Sequence, residues 1–228
     1  MTTFRSFLVS LLVPPALVLS VVWAMLHPWF YTLEYHSPGF PPDPYGFTTE
    51  ERMHWARYAV DYLRYDRDIS YLADLRFPQG EQIPEPSCSF TDDCTRLYNP
   101  RELKHMVDVQ RTVDGALSVW RFSLLGLLAL GLWAWKGGWM EAFRRAAGRG
   151  GLWTAVFSGA ILVFALVGFG VLFVAFHELF FESGTWTFYY SDTLIRLFPE
   201  RFWRDAFLLV TGVPALAGLG IARFWGAG

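Results

Sequence analysis

The chain has 228 residues, of which 53% are hydrophobic and 18% are charged, and its formal net charge is −2. Soluble chains average about 25% charged residues, so the shift in composition is modest and the distribution of the apolar residues along the chain decides the class of protein. The near-neutral charge, together with a sequence that shows no basic face and no phosphate-binding glycine loop, excludes an evident nucleic-acid-binding class.

Four stretches of the chain are almost free of charge and predict transmembrane helices, at 7–30, 116–135, 152–176 and 206–221. A spanning helix needs about 20 apolar residues. The second stretch reaches that length only with Arg121 inside it, and the fourth is short and rich in glycine. The first stretch could instead be a cleaved secretory signal, but bulky residues follow it where a cleavage site would need small ones. We therefore predict a retained anchor.

The basic residues predict the orientation in the membrane. The segment 136–150 carries four Lys/Arg against one acid, whereas 31–115 carries nine Lys/Arg against fifteen Asp/Glu. Short basic loops stay in the cytoplasm, so we expect both termini in the cytoplasm and 31–115 outside, in a multi-pass protein of the cell membrane.

The predicted fold class is an all-α membrane protein with four transmembrane helices and an extracytoplasmic, mostly helical cap. The predicted boundaries in chain order are transmembrane helix 1 at 1–30, the cap at 31–115, helix 2 at 116–135, a cytoplasmic loop at 136–151, helix 3 at 152–176, an extracytoplasmic interfacial segment at 177–205, and helix 4 with a cytoplasmic tail at 206–228.

Two helix starts are strongly marked within the cap. Thr48 and Glu51 form a capping-box pattern that predicts a helix over 49–64. Asn99 followed by Pro100 and Glu102 predicts a second start, and no breaker interrupts the pattern before the second span. The cap therefore supplies one amphipathic helix and the outer end of helix 2.

Cys88 and Cys94 are the two cysteines of the chain. In an oxidising compartment they can form a disulfide around a short loop. A redox-active pair is the alternative, but such membrane enzymes use closer cysteines and usually a second pair. We therefore predict a structural disulfide.

Of the five histidines, His105 and His177 have the most suggestive surroundings. Three-residue steps place Glu102, His105 and Asp108 along one helix face, where a carboxylate can fix an imidazole tautomer for general-base work. An exposed polar face is the alternative. His177 ends the third apolar stretch, where it either faces the bundle or lies at the interface. His27, His36 and His54 are predicted to be structural.

Helix length allows these two imidazoles to meet. His105 lies 31 residues before Lys136, and His177 lies 26 residues after Gly151. At about 1.5 Å per residue the two heights differ by about 7 Å, which helix tilt can absorb. A shared pocket at the outer interface is therefore allowed by geometry.

Arg121 lies within the second apolar stretch, and no acid occupies the first or third stretch to pair with it. It either snorkels to the outer headgroups or meets a lipid phosphate or ester carbonyl inside the bundle. No His-Glu-x-x-His pattern or other metal-ligand spacing is present in the sequence, so we expect no metal and no cofactor.

Three motifs together resemble one bacterial family of small four-helix membrane proteins, which includes lipoprotein intramolecular transacylase. They are Glu102-x-x-His105-Met106-x-Asp108-Val109, then Phe176-His177-x-x-Phe180-Phe181 with Trp186, and Asp192-x-Leu194-Ile195-x-x-Phe198-Pro199-x-x-Phe202-Trp203. The resemblance is clearest over 99–110 and 173–205. The cysteine loop is not part of the family pattern.

The resemblance implies transfer of the O-linked acyl chain of a lipoprotein diacylglyceryl-cysteine to the α-amine of that cysteine, which gives a lyso-form lipoprotein. The expected partners are membrane lipid and the diacylated lipoprotein N-terminus, with no nucleic acid. We expect His177 or His105 to be the general base, with Asp108 orienting His105. The expected substrate-binding residues are Glu102, Arg121, Trp186, Asp192 and Arg196.

Two alternatives use the same residues. A lipid acyl hydrolase, or a metal-dependent membrane hydrolase, would replace the amine with water. A non-enzymatic protein would use the cap to bind a partner and keep both histidines at the interface.

Overall fold

The computed structural model describes residues 2–225, and within that range it is helical with a single isolated β-bridge, between Arg76 and Arg96. The helices in chain order are α1 (Thr2–Met25), α2 (Pro28–Tyr35), α3 (Thr49–Arg64), α4 (Ser70–Ala73), α5 (Pro100–Lys136), α6 (Met140–Phe180), α7 (Thr193–Leu197) and α8 (Glu200–Trp225), with a 3₁₀ turn at Ser87–Phe90.

Four of these helices are long and apolar enough to cross a membrane, and they lie at Phe4–Met25, Pro100–Lys136, Met140–Phe180 and Glu200–Trp225. The predicted all-α fold class with four transmembrane helices is confirmed. The predicted first span at 1–30 extends too far, because α1 ends at Met25 and a separate helix begins at Pro28. Proline suits the first turn of a helix, where its missing N–H costs nothing.

The chain divides into two compact units. The first consists of the described residues of Met1–Ala24, Gly115–Phe169 and Ala206–Gly228. The second consists of Met25–Asp114 and Gly170–Asp205.

The first unit is a bundle of helices whose backbones lie very close to one another. Val9 and Val13 of α1 pack on Ala146 and Ala147 of α6, and Ser10 Oγ donates to the Ala146 carbonyl at 2.8 Å. A Cβ atom placed on Gly151 would lie 2.6 Å from the Gly218 carbonyl oxygen of α8. Small residues of this kind let membrane helices pack closely.

These contacts correct the predicted cytoplasmic loop at 136–151. Helix α6 already begins at Met140, so the connection from α5 is only 137–139. The basic residues of 136–150 suggested a loop, but the glycines at 148, 150 and 151 are buried within α6. They serve the helix contacts of the first unit and not a chain reversal.

The second unit contains the helix α3 at the predicted bounds and with the predicted capping box. The Thr48 side chain accepts from the Glu51 N–H, and the Glu51 carboxylate accepts from the Thr48 N–H. The predicted disulfide between Cys88 and Cys94 is present. The predicted interfacial segment 177–205 starts as the last turn of α6, which ends at Phe180, and it contains α7 and the first turn of α8.

Candidate functional site

The N-terminus of α5 is organised by Asn99. Its side-chain oxygen accepts from the N–H groups of Arg101 and Glu102, at 3.1 and 3.0 Å. In return, the Glu102 carboxylate accepts from the Asn99 N–H at 2.9 Å. Because the first N–H groups of a helix have no partner inside it, this reciprocal arrangement fixes where α5 begins.

Two carboxylates join this helix start to the segment before α7. Glu102 Oε1 accepts from the Leu194 N–H at 2.7 Å. Asp192 accepts from the Asn99 amide at 2.8 Å and from the Arg101 guanidinium at 2.7 Å. Both carboxylate residues are 0% exposed. Glu102 and Asp192, which we expected to bind substrate, are therefore fully engaged with the protein.

The two histidines singled out in the sequence lie together in the second unit. The ring centroids of His105 and His177 are 6.1 Å apart, and the ring planes are inclined by 22°. His105 is 8% exposed and His177 is half-buried. The meeting of these imidazoles that helix length allowed is found, although α6 begins eleven residues before the glycine from which its height was counted.

The tautomer of His177 follows from its hydrogen bond. Its Nδ1 lies 2.8 Å from the Phe173 carbonyl oxygen. A carbonyl oxygen only accepts, so Nδ1 of the neutral ring carries the proton. The lone pair of the neutral imidazole is therefore on Nε2, which leaves that atom able to take a proton.

His105 is held differently. Its Nδ1 is buried and has no hydrogen-bond partner among residues 2–225. Asp108, which we expected to orient this ring, instead accepts from Arg111 at 3.3 Å. The expected contact between Asp108 and His105 is therefore not made, because a neighbouring cation one turn further along α5 holds the carboxylate.

Aromatic side chains enclose the two imidazoles. Phe181 and Phe188 lie at centroid distances of 4.9 and 5.2 Å from His105, both edge-on. Trp186 lies 4.9 Å from His177. The Trp186 Nε1–H is buried without a hydrogen-bond partner within the described chain. The aromatic surroundings of the imidazoles therefore combine apolar walls with a buried N–H that has no acceptor within the described chain.

The remaining predicted substrate ligands lie elsewhere. Arg196 is buried and forms an ion pair with Asp43 at 2.9 Å, with its guanidinium 3.6 Å from the centroid of the Phe47 ring. Arg121 is exposed and belongs to the first unit. Neither is among the contacts of the two imidazoles.

Two residues of the site were missed in the sequence. Arg101 lies over the rings of Phe188 and Tyr189, at 5.7 and 5.1 Å, as well as pairing with Asp192. Phe188 is itself a wall of the histidine pocket. Arg101 was visible as part of a helix start, and Phe188 had no periodic signal because it lies outside the helices.

The described residues contain no group of three or more His, Cys, Asp or Glu side chains that could hold a metal ion. The acids nearest in sequence to His105 are occupied by other partners, because Glu102 accepts from the Leu194 N–H and Asp108 accepts from Arg111.

The sequence profile of the lipoprotein intramolecular transacylase family matches residues 6–203 of the chain. The chain belongs to this family. The match spans both histidines and every motif from which the resemblance was inferred, and the family is one of acyltransferases.

The chain is also similar to a bacterial relative and to two solved structures. An uncharacterised protein of Aquifex aeolicus (strain VF5) is 28% identical over 195 residues, which cover 83% of this chain and 78% of that protein. The in meso structure of the membrane-integral lipoprotein intramolecular transacylase from Bacillus cereus superposes with a TM-score of 0.70 at 19% identity, over 99% of this chain and 95% of that one.

A second structure of the Bacillus cereus protein, which carries a histidine-to-arginine mutation, gives a TM-score of 0.62 at 19% identity, with coverage of 99% and 92%. At this identity the two structures establish the fold alone. Together with the four apolar helices, they identify the chain as a multi-pass membrane protein.

Proposed function

We propose that this chain is the acyltransferase that converts diacylated lipoproteins to the lyso form. It moves an O-linked acyl chain of the diacylglyceryl-cysteine to the α-amine of the same cysteine. The observation that carries the proposal is the aromatic pocket in which His105 and His177 lie 6.1 Å apart, in a chain of the lipoprotein intramolecular transacylase family.

His177 is the general base of the proposed reaction. Its Nδ1 is committed to the Phe173 carbonyl, so Nε2 takes the proton as the amine nitrogen attacks the ester carbonyl carbon. We assign this role to His177 in preference to a His105–Asp108 pair, because Asp108 is paired with Arg111.

The two imidazoles also account for the proton that the leaving oxygen needs. The carbon–nitrogen bond forms, the ester carbon–oxygen bond breaks, and the departing glycerol oxygen takes up one proton. In our proposal His105 passes that proton from the imidazolium of His177 to the leaving oxygen. Because the amine and the ester belong to one substrate molecule, correct orientation supplies much of the rate.

Trp186 is the proposed donor to the tetrahedral oxyanion. Its buried Nε1–H has no partner within residues 2–225, and its ring lies against the ring of the base. A donor fixed beforehand at the place where negative charge develops is a strong contribution to acyl transfer.

Glu102 and Asp192 act in this scheme as positioning residues. Their carboxylates join the start of α5, which carries His105, to the segment 189–194 that follows Phe188. Arg196 positions the same region through Asp43. Arg121 stays a predicted ligand for a lipid phosphate or ester.

We also propose the orientation predicted from the charges, with 31–115 outside and both termini in the cytoplasm. Two observations support it. Arg144, Arg145 and Arg149 lie on the early turns of α6, and the second unit holds a disulfide, which suits an oxidising compartment.

Replacing the base tests the function. We expect His177→Ala to lower the rate of lyso-form production by about 10² to 10⁴, the usual contribution of a general base. Mass spectrometry of lipoprotein N-termini, in cells with and without the protein, measures the product. His54→Ala, at an exposed histidine of α3, is the control and should act as wild type.

The same measurement separates the alternatives. Conversion that survives in both His177→Ala and His105→Ala, with normal membrane insertion, would falsify the catalytic assignment. Release of free fatty acid without N-acylation would identify a hydrolase, and unchanged acylation in the absence of the protein would exclude the transacylase function.

A further inference from the structure

One cavity of the second unit is not lined by either of the two histidines. It has a volume of about 250 Å³ and lies where the proline-rich segment before α3 meets the start of that helix. Tyr35, Phe40, Asp43, Thr49 and Arg52 are among its lining residues. None of the side chains that enclose His105 and His177 lines it.

Arg52 is buried in this cavity without a counter-charge of its own. It is 4% exposed, its Nη1 donates to the Pro41 carbonyl at 2.7 Å, and its guanidinium lies over the rings of Tyr35 and Phe40. Its Nε–H is buried with no hydrogen-bond partner among residues 2–225. No carboxylate in that range lies within ion-pair distance of Arg52.

The one buried carboxylate of the cavity is already paired. Asp43 Oδ2 accepts from Arg196 Nε and Nη2 at 3.0 and 2.9 Å, and from the Phe47 N–H at 2.8 Å. The cluster therefore contains two buried guanidinium groups and one carboxylate, with Asp43 Oδ1 and Arg196 Nη1 also unpartnered. One positive charge is in excess, and an unpaired buried charge is costly.

The electrostatics of Arg52 agree with this count. Burial, opposed by Tyr35 and Asp43 and reinforced by Arg196, lowers the pKa of Arg52. The acids on the first turn of α3 are Glu50, which is exposed, and Glu51, which the capping box holds. Neither neutralises the guanidinium.

We propose that this cavity binds a phosphate group, either of a lipid headgroup or free in solution. Its oxygens would accept from the Arg52 Nε–H and from the Thr49 and Glu50 N–H groups on the first turn of α3, which have no partner inside the helix. The Glu51 N–H of the same turn already donates to Thr48. Arginine forms charge-assisted hydrogen bonds to phosphate. The proposal is independent of the acyl-transfer chemistry.

The test uses the full-length protein in a neutral maltoside detergent. Thermal melting is followed during titration with sodium phosphate, against sodium chloride and sodium acetate at matched ionic strength. Arg52→Gln removes the charged donor. Arg57→Gln, on the same helix with its side chain 72% exposed, is the matched control.

A second variant keeps the test valid if Arg52→Gln does not fold. Thr49→Asp places a negative charge at the rim of the cavity, and an acid at the first position of a helix favours folding. Thr49→Ser is its control. Dihexanoylphosphatidylglycerol, compared with dihexanoylglycerol, distinguishes a lipid phosphate from free phosphate.

We expect a saturable stabilisation by phosphate or by the phosphate-bearing lipid, weakened by about tenfold or more in Arg52→Gln and Thr49→Asp. The two controls should bind as wild type does. A wild-type protein that responds to neither compound, an equal response to acetate, or an unaltered response in Arg52→Gln would each overturn the proposal.

Discussion

At the residue scale, the two imidazoles differ in how their nitrogens are used. His177 donates a hydrogen bond from its Nδ1–H to the main chain of its own helix, whereas the Nδ1 of His105 has no hydrogen-bond partner in the described chain. A ring whose tautomer is fixed presents one defined lone pair. A ring with an unpartnered nitrogen can take either tautomer, which suits a group that passes a proton on.

Trp186→Phe tests the proposed oxyanion donor, since it keeps an aromatic ring beside His177 and removes the Nε1–H. We expect kcat to fall by about 10², with little change in KM, as for the loss of one donor to an oxyanion. Steady-state kinetics on a synthetic diacyl lipopeptide measure it. Trp55→Phe, in the aromatic cluster of α3, should behave as wild type, and an unchanged kcat in Trp186→Phe would exclude the donor role.

The burial of Glu34 predicts that the stability of the folded protein depends on pH. It is 5% exposed, and burial, together with nearby Asp205, raises its pKa to about 7 despite Arg201. The folded protein therefore binds this proton more tightly than the unfolded chain does. The resulting stability is fully present below about pH 4.5 and is lost as the pH rises through about 7.

We therefore expect the wild-type melting temperature to fall, relative to that of Glu34→Gln, between pH 5 and about pH 8. Thermal denaturation in detergent across this range measures the difference. Glu50→Gln, which changes an exposed acid of α3, is the control. Parallel curves for wild type and Glu34→Gln would show that the Glu34 proton does not contribute.

Part of the site was predictable from residue spacing. Helix rise, which depends on the backbone alone, allowed His105 and His177 to meet but did not require it. The partner of Asp108 was not predictable, because the same carboxylate can reach a histidine or an arginine one turn away, and side-chain rotation decides between them. Likewise, Arg196 is paired with Asp43, which is 153 residues distant in the chain.

At the element scale, the start of α5 is the element on which the site depends. Asp192 accepts hydrogen bonds from Asn99, Arg101 and Tyr189, and its side chain is 0% exposed. Removing one partner of a buried ion pair leaves the other partner uncompensated.

We therefore expect Asp192→Ala to lower the free energy of unfolding by about 3 kcal/mol or more. Activity should fall at least as far as folded protein is lost, because Asp192 also positions the start of α5. Thermal denaturation and lyso-form production, measured on the same preparation, test this expectation. Asp74→Ala, at an exposed acid of the second unit, should cost less than about 0.5 kcal/mol. A normal melting temperature with lost activity would instead make Asp192 a substrate ligand.

The elements themselves were predicted with uneven success. The bounds of α3 and the start of α5 follow from local capping signals, and the structure agrees with both. The start of α6 was missed because the charge-free stretch that predicted the third span begins only at Leu152, after the basic residues of 136–150. A glycine interrupts an isolated helix, but Gly150 and Gly151 allow close contact with Ser10 of α1 and Gly218 of α8, which no local pattern reveals.

At the scale of the whole molecule, the orientation in the membrane can be measured directly. In a variant lacking Cys88 and Cys94, we expect Glu81→Cys to react with a membrane-impermeant maleimide in intact cells, and Arg149→Cys to react only after permeabilisation. Both positions are exposed. Labelling of Arg149→Cys in intact cells would reverse the proposed orientation.

The rings around the histidines have a consequence for the fate of the acyl chain. An activated ester is open to two nucleophiles, and liquid water always outnumbers a single amine. Phe181, Phe188 and Trp186 surround the imidazoles with hydrocarbon surface, and an enclosure that excludes solvent suppresses the competing reaction. In the proposed reaction the aromatic side chains therefore decide how much of the ester reacts with the amine and how much with water, as well as the rate of acyl transfer. An enzyme with the same base but smaller side chains at these positions would hydrolyse part of its substrate and release free fatty acid.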